Sequence, residues 1–420
     1  MSTPIEAVSQ SQGASKPRAL SVNQFAFILV TSLFFMWGFS HGLLDVLNKH
    51  FQDTLNISHA QSALAQTAYF GAYFFVALPV GIFMERFGYR AGILVGLALF
   101  AVGALLFLPA EWAGGFAPFL IALFVLASGL ACLETAANLY ATTLGDPAKA
   151  EQRLTLAQSF NGLGAFMGPI IGGSVFFMPS VDIGGIHAEP VSLTYVALAV
   201  VVVIMIAVFA KAELPEVKVE AKREMGEDAS DCKASIWKYK NFTGALVAQF
   251  CSVGAYVGIG AFFINYAMDH WPGMSAKSAA YLLSLGMLAY MIGRFAGTWI
   301  MRYVPARSLL IFNSSMCALL CGMAVLGVSK VSALAIAVLY LFMSTLYPTI
   351  FAMGVRGLGA HTKRGGSYLV MALVGGAILP LAMGGIGDSF GTEWAFIVPL
   401  LCYVVIAWYG VNQPPIRNYK

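Results

Sequence analysis

With 59% hydrophobic side chains, 10% charged residues and a mean hydropathy of +0.77, the 420-residue chain is too apolar for a soluble domain, where about a quarter of residues are charged. The net charge of +4 comes without a basic cluster on a polar domain, which speaks against nucleic-acid binding. No metal-ligand cluster, nucleophile–base pair or phosphate loop marks an enzyme, and no cofactor is implied.

Residues 1–24, opening "MSTPIEAVSQSQGASKPRAL", are polar and lack a small-residue cleavage site after an apolar core, so they predict a cytoplasmic tail rather than a signal peptide. Roughly twelve apolar segments follow, the first centred near Phe35 and the last near Tyr403. Each is long enough to cross about 30 Å of hydrocarbon at about 1.5 Å per residue. Continuous runs of this length exclude the short alternating strands of a β-barrel. The fold class expected is therefore an all-α membrane protein of twelve transmembrane helices: one six-helix bundle over 25–210, a linker over 211–240, a second bundle over 241–412 and a tail over 413–420. The N-terminal tail and even-numbered loops hold about twenty of the Lys and Arg residues and the outer loops about three, which predicts cytoplasmic termini. An inner-membrane monomer in contact with lipid is the corresponding expectation. The linker carries mixed charge and reads as a solvated or interfacial helix.

In span one, "FFMWGFSHGLLDVLNKHF" places His41 and Asp45 one turn apart inside an apolar run, with Asn48 and Lys49 about a turn further on. An ionised side chain at mid-membrane costs about 2.5 to 3.5 kcal/mol, so such an acid lines a cavity or pairs with a cation. Asp45 is either half of an Asp45–Lys49 pair near the outer interface or a titrating group open to the outer side; His41 either tunes it or bonds a substrate hydroxyl. Span two ends in "GIFMERFGYRAG" and span eight in "GTWIMRYVPARS", with Arg86 and Arg302 at matching places. Span four, "GLACLETAANLYATTLG", sets Glu134 and Asn138 on one helical face with no basic residue within a turn. A dry carboxyl holds its proton and a wetted one releases it, which is what a proton carrier needs; the alternative is a structural glutamate bonded to a neighbouring helix. Span five, "LTLAQSFNGLGAFMGPIIGG", offers the Gln158 and Asn161 amides to sugar hydroxyls, and Gly164, Gly168 and Gly172 form a ridge for close packing.

In span eight, Arg294 has no acid within a turn and reads as a snorkelling or helix-locking residue near the cytoplasmic end rather than a ligand contact. Pro348, inside "STLYPTIFAMG" of span ten, should kink its helix and free backbone groups. The segments ending at Gly145 and Gly359 are weakly similar, as duplicated halves would be. Five of the six cysteines lie in apolar runs and read as packing residues.

Two six-helix halves around a central linker point to the major facilitator architecture, and "GIFMERFGYR" partly matches that superfamily's loop signature, with Glu85 where Asp is usual. From about Phe25 to Tyr409 the chain resembles the fucose:proton symporter family of this superfamily. The resemblance rests on "LFFMWGFSHGLLDVLNKHFQ", "CLETAANLYATTLG", "LAQSFNGLGA", "VAQFCSVGAY", "IGRFAGTW" and "LYPTIFAMGVRGLG". It implies sugar uptake coupled to an inward proton, with Asp45 and Glu134 as the key acids and Asn161 as the span-five asparagine. Leu44 precedes Asp45 where members usually carry asparagine, which leaves the sugar open. The expectation is a proton-coupled symporter for L-fucose or a related hexose, working by alternating access. Proton coupling falls to Asp45 and Glu134, and substrate binding to His41, Glu134, Asn138, Gln158 and Asn161. The alternatives are a sodium-coupled hexose or N-acetylglucosamine importer and a membrane sensor that binds sugar without moving it.

Overall fold

The computed structural model describes residues 22–55, 59–176, 178, 181–183, 186–212 and 235–413. The first half comprises α1 (Val22–Leu55), α2 (His59–Leu105), α3 (Phe107–Ala113), α4 (Ala117–Thr143), α5 (Ala150–Val175) and α6 (Pro190–Lys211). The second half comprises α7 (Lys240–His270), α8 (Ala276–Ile300), α9 (Ala306–Val325), α10 (Ser329–Met343), α11 (Leu346–Val355), α12 (Thr362–Met371), α13 (Gly375–Phe390), α14 (Thr392–Ala395) and α15 (Ile397–Asn412). One departure from helix is a small antiparallel hairpin, β1 (Val181–Ile183) and β2 (Ile186–Ala188), with Val181 opposite Ala188. Its sequence, "VDIGGIHA", puts a Gly-Gly pair between β-formers, the hairpin pattern.

Nine helical segments among the described residues are long and apolar enough to span a bilayer. One of them, Thr67–Ala113, holds two crossings, because α2 turns back at Gly88 (φ 85°), a backbone angle that glycine adopts without strain. The helices α5 and α8 supply the remaining two crossings; they are less apolar and carry Gln158, Asn161 and Arg294 within them. Twelve crossings result, with α10–α11, α12–α13 and α14–α15 each forming one interrupted span. On α6, Val200, Val203 and Ile204 stay exposed, an outer face that lipid would cover.

Each half packs its first helix against its fifth span backbone to backbone. A Cβ on Gly38 would collide with the carbonyl of Asn161, one on Gly164 with that of Phe35, and one on Gly168 with Gly42. The second half repeats the device: Gly254 meets the Gly375 carbonyl and Gly375 meets that of Phe250. Small residues at four-residue spacing permit this approach.

Both ends of the described chain, where α1 begins and α15 finishes, lie at one face of the bundle, called the terminal face below. The two halves are tied across this face. Arg364 pairs with Glu85 at 2.9 Å, Lys363 Nζ donates to the Met84 carbonyl at 2.5 Å, Gln152 Nε2 donates to the Thr298 carbonyl at 2.9 Å, and Arg356 pairs with Glu151. "GIFMERFGYR" thus does more than lock its own neighbours: Arg90 holds the Ala210 carbonyl of α6, while Glu85 and Met84 reach α12 in the other half. The helix expected over the linker falls on residues 213–234, outside the described residues; before α7 the chain makes one 3-10 turn, Ile236–Lys238.

Candidate functional site

Between the halves lies a cavity of about 460 Å³, within the about 300–1,000 Å³ usual for small-molecule sites. Trp37 and His41 come to it from α1, Tyr69, Phe70 and Tyr73 from α2, Glu134 from α4, and Gln158 and Asn161 from α5. The second half contributes Tyr256 of α7, Tyr290 and Arg294 of α8 and Tyr347 of α11, with Met287, Met291 and Met343 between them. Arg294 and Gln158 form its floor on the side of the terminal face. From there the lining runs through Ala165 and Met287 to Ile170 and Ser284, towards the opposite face.

Glu134 is 1% exposed in an apolar helix, so its carboxyl needs partners supplied by other helices. Tyr347 reaches across from the other half and donates its hydroxyl to Glu134 Oε1 at 2.5 Å. Asn138, one turn along α4, donates from Nδ2 to the same hydroxyl at 3.4 Å, and Gln158 Nε2 donates to Asn138 Oδ1 at 3.1 Å. One polar chain therefore joins α5, α4 and α11. The Glu134 Oε2, Tyr73 hydroxyl, Trp37 Nε1 and Gln158 Oε1 atoms are buried and make no hydrogen bond of good geometry. All four belong to residues on the cavity wall, and a wall that mixes a carboxyl, a phenol, an indole N–H and an amide suits a ligand rich in hydroxyls.

Arg294 is 5% exposed and does not snorkel, which corrects that part of the sequence reading. It locks helices instead. Its guanidinium donates to the Gln158 carbonyl at 2.5 Å, to Asn161 Oδ1 at 3.2 Å, to the Tyr290 hydroxyl at 2.8 Å and, through Nε, to the Ser344 carbonyl at 3.3 Å. The last bond follows from Pro348, which has no N–H for the carbonyl four residues back. The span breaks between α10 and α11, and the carbonyl freed there becomes an acceptor for Arg294. Stacking over Tyr290, 4.6 Å from the ring centroid, completes the seat.

Of the residues singled out in the sequence, the structure brings His41, Glu134, Gln158 and Asn161 together on the cavity wall. The His41 ring is held edge-on by Tyr69 at 5.7 Å and Phe70 at 6.4 Å. Asn138 is fully buried and, being off the wall, supports Tyr347 and Gln158 from behind. Asp45 lies within α1; its side chain, with those of Asn48 and Lys49, lies outside the described residues. Sequence reasoning missed Trp37, Tyr73, Tyr290 and Tyr347 as site residues. For Tyr347 the signal was its neighbour Pro348, which marks where a span opens. Among the described residues no group of three or more His, Cys, Asp or Glu side chains could hold a metal ion.

A family profile described as Major Facilitator Superfamily matches residues 26–371. The chain is 38% identical over 390 residues to a protein of Brucella abortus named glucose/galactose transporter, covering 92% of this chain and 93% of that one. It is 34% identical over 398 residues to the L-fucose-proton symporter of Escherichia coli, covering 90% and 91%. The crystal structure of FucP, a transporter of this superfamily in the outward conformation, superposes with a TM-score of 0.84 at 32% identity, over 94% of this chain and all of that one. A structure of the proton:xylose symporter XylE, 13% identical with a TM-score of 0.66, shares the fold.

Proposed function

The chain belongs to the Major Facilitator Superfamily, and from that premise we propose that it is a proton-coupled hexose symporter whose two six-helix halves rock about the central cavity. It is a transporter and not an enzyme. The observation that carries the reading is the buried Glu134, bonded across the halves by Tyr347 and flanked on the cavity wall by the polar side chains of Trp37, Tyr73 and Gln158. A carboxyl so placed can report its protonation to both halves at once, and the same wall offers hydroxyl-binding groups. Glucose and galactose, after the Brucella relative's name, and L-fucose, after the Escherichia coli relative's, head the candidate substrates.

Asp45 is assigned the second titrating role, and His41, Gln158, Asn161, Trp37 and Tyr73 contact the sugar, with Asn138 supporting them. The clustering of Lys and Arg at the terminal face supports a cytoplasmic position for both termini in an inner membrane, with 25–210 and 241–412 as the two bundles of a functional monomer. On that orientation the ties at the terminal face close the cytoplasmic side, and the cavity reaches outward. Uptake of labelled hexoses into proteoliposomes, under an imposed pH or sodium gradient, tests the proposal. Accumulation driven by an inward pH gradient and collapsed by a protonophore is expected; accumulation that needs sodium and ignores the protonophore refutes proton coupling, and binding without uptake refutes transport.

A further inference from the structure

At the face opposite the termini, the end of α7 carries a histidine in a built socket. His270 stacks on Tyr266 with ring centroids 4.1 Å apart and planes 12° from parallel. Gly327 closes over its ring: a Cβ there would stand 3.4 Å from it, and the φ of 63° favours glycine. The socket wall is fixed from behind, because the Tyr266 hydroxyl donates to the Ala324 carbonyl at 2.6 Å. On the other side stands Glu393 of α14, its carboxylate carried on the turn at Gly391 (φ 109°), with Oε2 3.5 Å from His270 Nε2.

The two ring nitrogens face different partners. His270 Nδ1 lies 3.1 Å from the Tyr266 carbonyl, which can only accept, so Nδ1 bears a hydrogen. In a neutral ring Nε2 would then be a bare acceptor facing a carboxylate. Facing an ionised Glu393, the imidazolium satisfies both contacts. The other charged groups around it are Asp269 on the same helix, engaged by the Thr392 hydroxyl at 2.8 Å, and Lys330 of α10, whose ammonium sits over the Trp271 ring.

We propose that His270 and Glu393 form a proton-dependent latch on the outer face, which pins the end of α7 to α14 when the outside is acidic and frees it when the outside is alkaline. The helix it pins is a cavity wall, through Ser252, Val253, Tyr256 and Val257. The sign follows from the contact: histidine changes charge between about pH 5 and 8, and the ion pair with Glu393, 3.5 Å away, exists in the charged form, at the acid end. External acid would then hold the α7 wall docked on its own half while the cavity is open to that side. The latch depends on the proposed function only for which side of the membrane it faces.

Hydrogen exchange over residues 262–271 of the full-length protein, corrected for the intrinsic pH dependence of amide exchange, reads the latch without any sugar. Protection in the wild type should fall by about two- to fivefold between about pH 5 and about pH 8, the scale of a partly exposed ion pair. His270→Gln and Glu393→Gln should remove that dependence, and His270→Lys, a cation throughout, should stay protected at both ends. A His270→Gln protein that keeps the wild-type pH dependence overturns the proposal, as does a His270→Lys protein that loosens at alkaline pH like the wild type. Neither result bears on sugar uptake, so failure of the latch and failure of the transport reading are separable.

Discussion

Cutting the Glu151–Arg356 tie from its two ends should give unequal results. The Glu151 side chain is 2% exposed and that of Arg356 37%. In Glu151→Gln the shape stays, the charge goes, and Arg356 turns to water at little cost. What is lost is a charge-assisted hydrogen bond, about 1.5–3 kcal/mol, and the half-open position of Arg356 argues for the low end. About 1.5 kcal/mol is roughly a tenfold shift of the equilibrium away from the state closed at the terminal face. Arg356→Ala instead leaves the carboxylate in a dry site with Arg153 left near it as a cation, which costs more than losing the charge but less than the about 3–5 kcal/mol of a fully buried pair. Its effect should exceed the tenfold shift of Glu151→Gln, since opening the face is what returns Glu151 to water. The double variant should fall back to near the Glu151→Gln value, because the stranded charge is gone. Spin-label distances between Lys149 and Lys238, two exposed positions at the terminal face, measure the equilibrium in a background without native cysteines. Equal shifts from the two single variants, or a double variant as open as Arg356→Ala, would refute the reasoning.

Glu134→Gln keeps a hydrogen-bonding side chain but cannot release a proton, so sugar exchange should persist while pH-driven accumulation is lost; paired exchange and accumulation assays check this, and Asp45→Asn should behave alike if Asp45 titrates. Arg294→Lys exchanges a planar fork for a point charge that cannot meet four acceptors on three elements. Losing two of these bonds costs roughly 2 kcal/mol, visible as a lower thermal midpoint, and a midpoint equal to the wild type would show that Arg294 locks nothing.

The helical runs and Glu134 were legible in the sequence because each violates or satisfies a local rule: length and apolarity for the spans, a charge inside an apolar run for the acid. The helix-locking reading of Arg294 stands and the snorkelling one does not, because apart from the Tyr290 hydroxyl its acceptors lie far along the chain. They are carbonyls and an amide of α5 and the α10–α11 break, more than a hundred residues before it and fifty after it. Tyr347 and Tyr73 escaped notice for a different reason. With aromatics at 13% of the chain, periodicity does not say which face of a buried helix looks into a cavity. The hairpin over Val181–Ala188 is too short to register against the helical spans around it.

The glycine seams that join α1 to α5, and α7 to α13, have a mechanical consequence. Where one backbone rests on another there is no side chain to swing aside, so each seam behaves as a welded strut. Compliance must then be found where the struts of opposite halves meet, at the floor made by Arg294, Gln158 and Tyr347. Leverage makes this sufficient. A helix the length of α5, 26 residues, has an arm of about 20 Å on either side of its middle. Parting the terminal face by about one helical pitch, 5.4 Å, then takes a tilt of only about a quarter of a radian. A handful of hydrogen bonds at the fulcrum can therefore govern a passage wide enough for a solute, while neither strut bends.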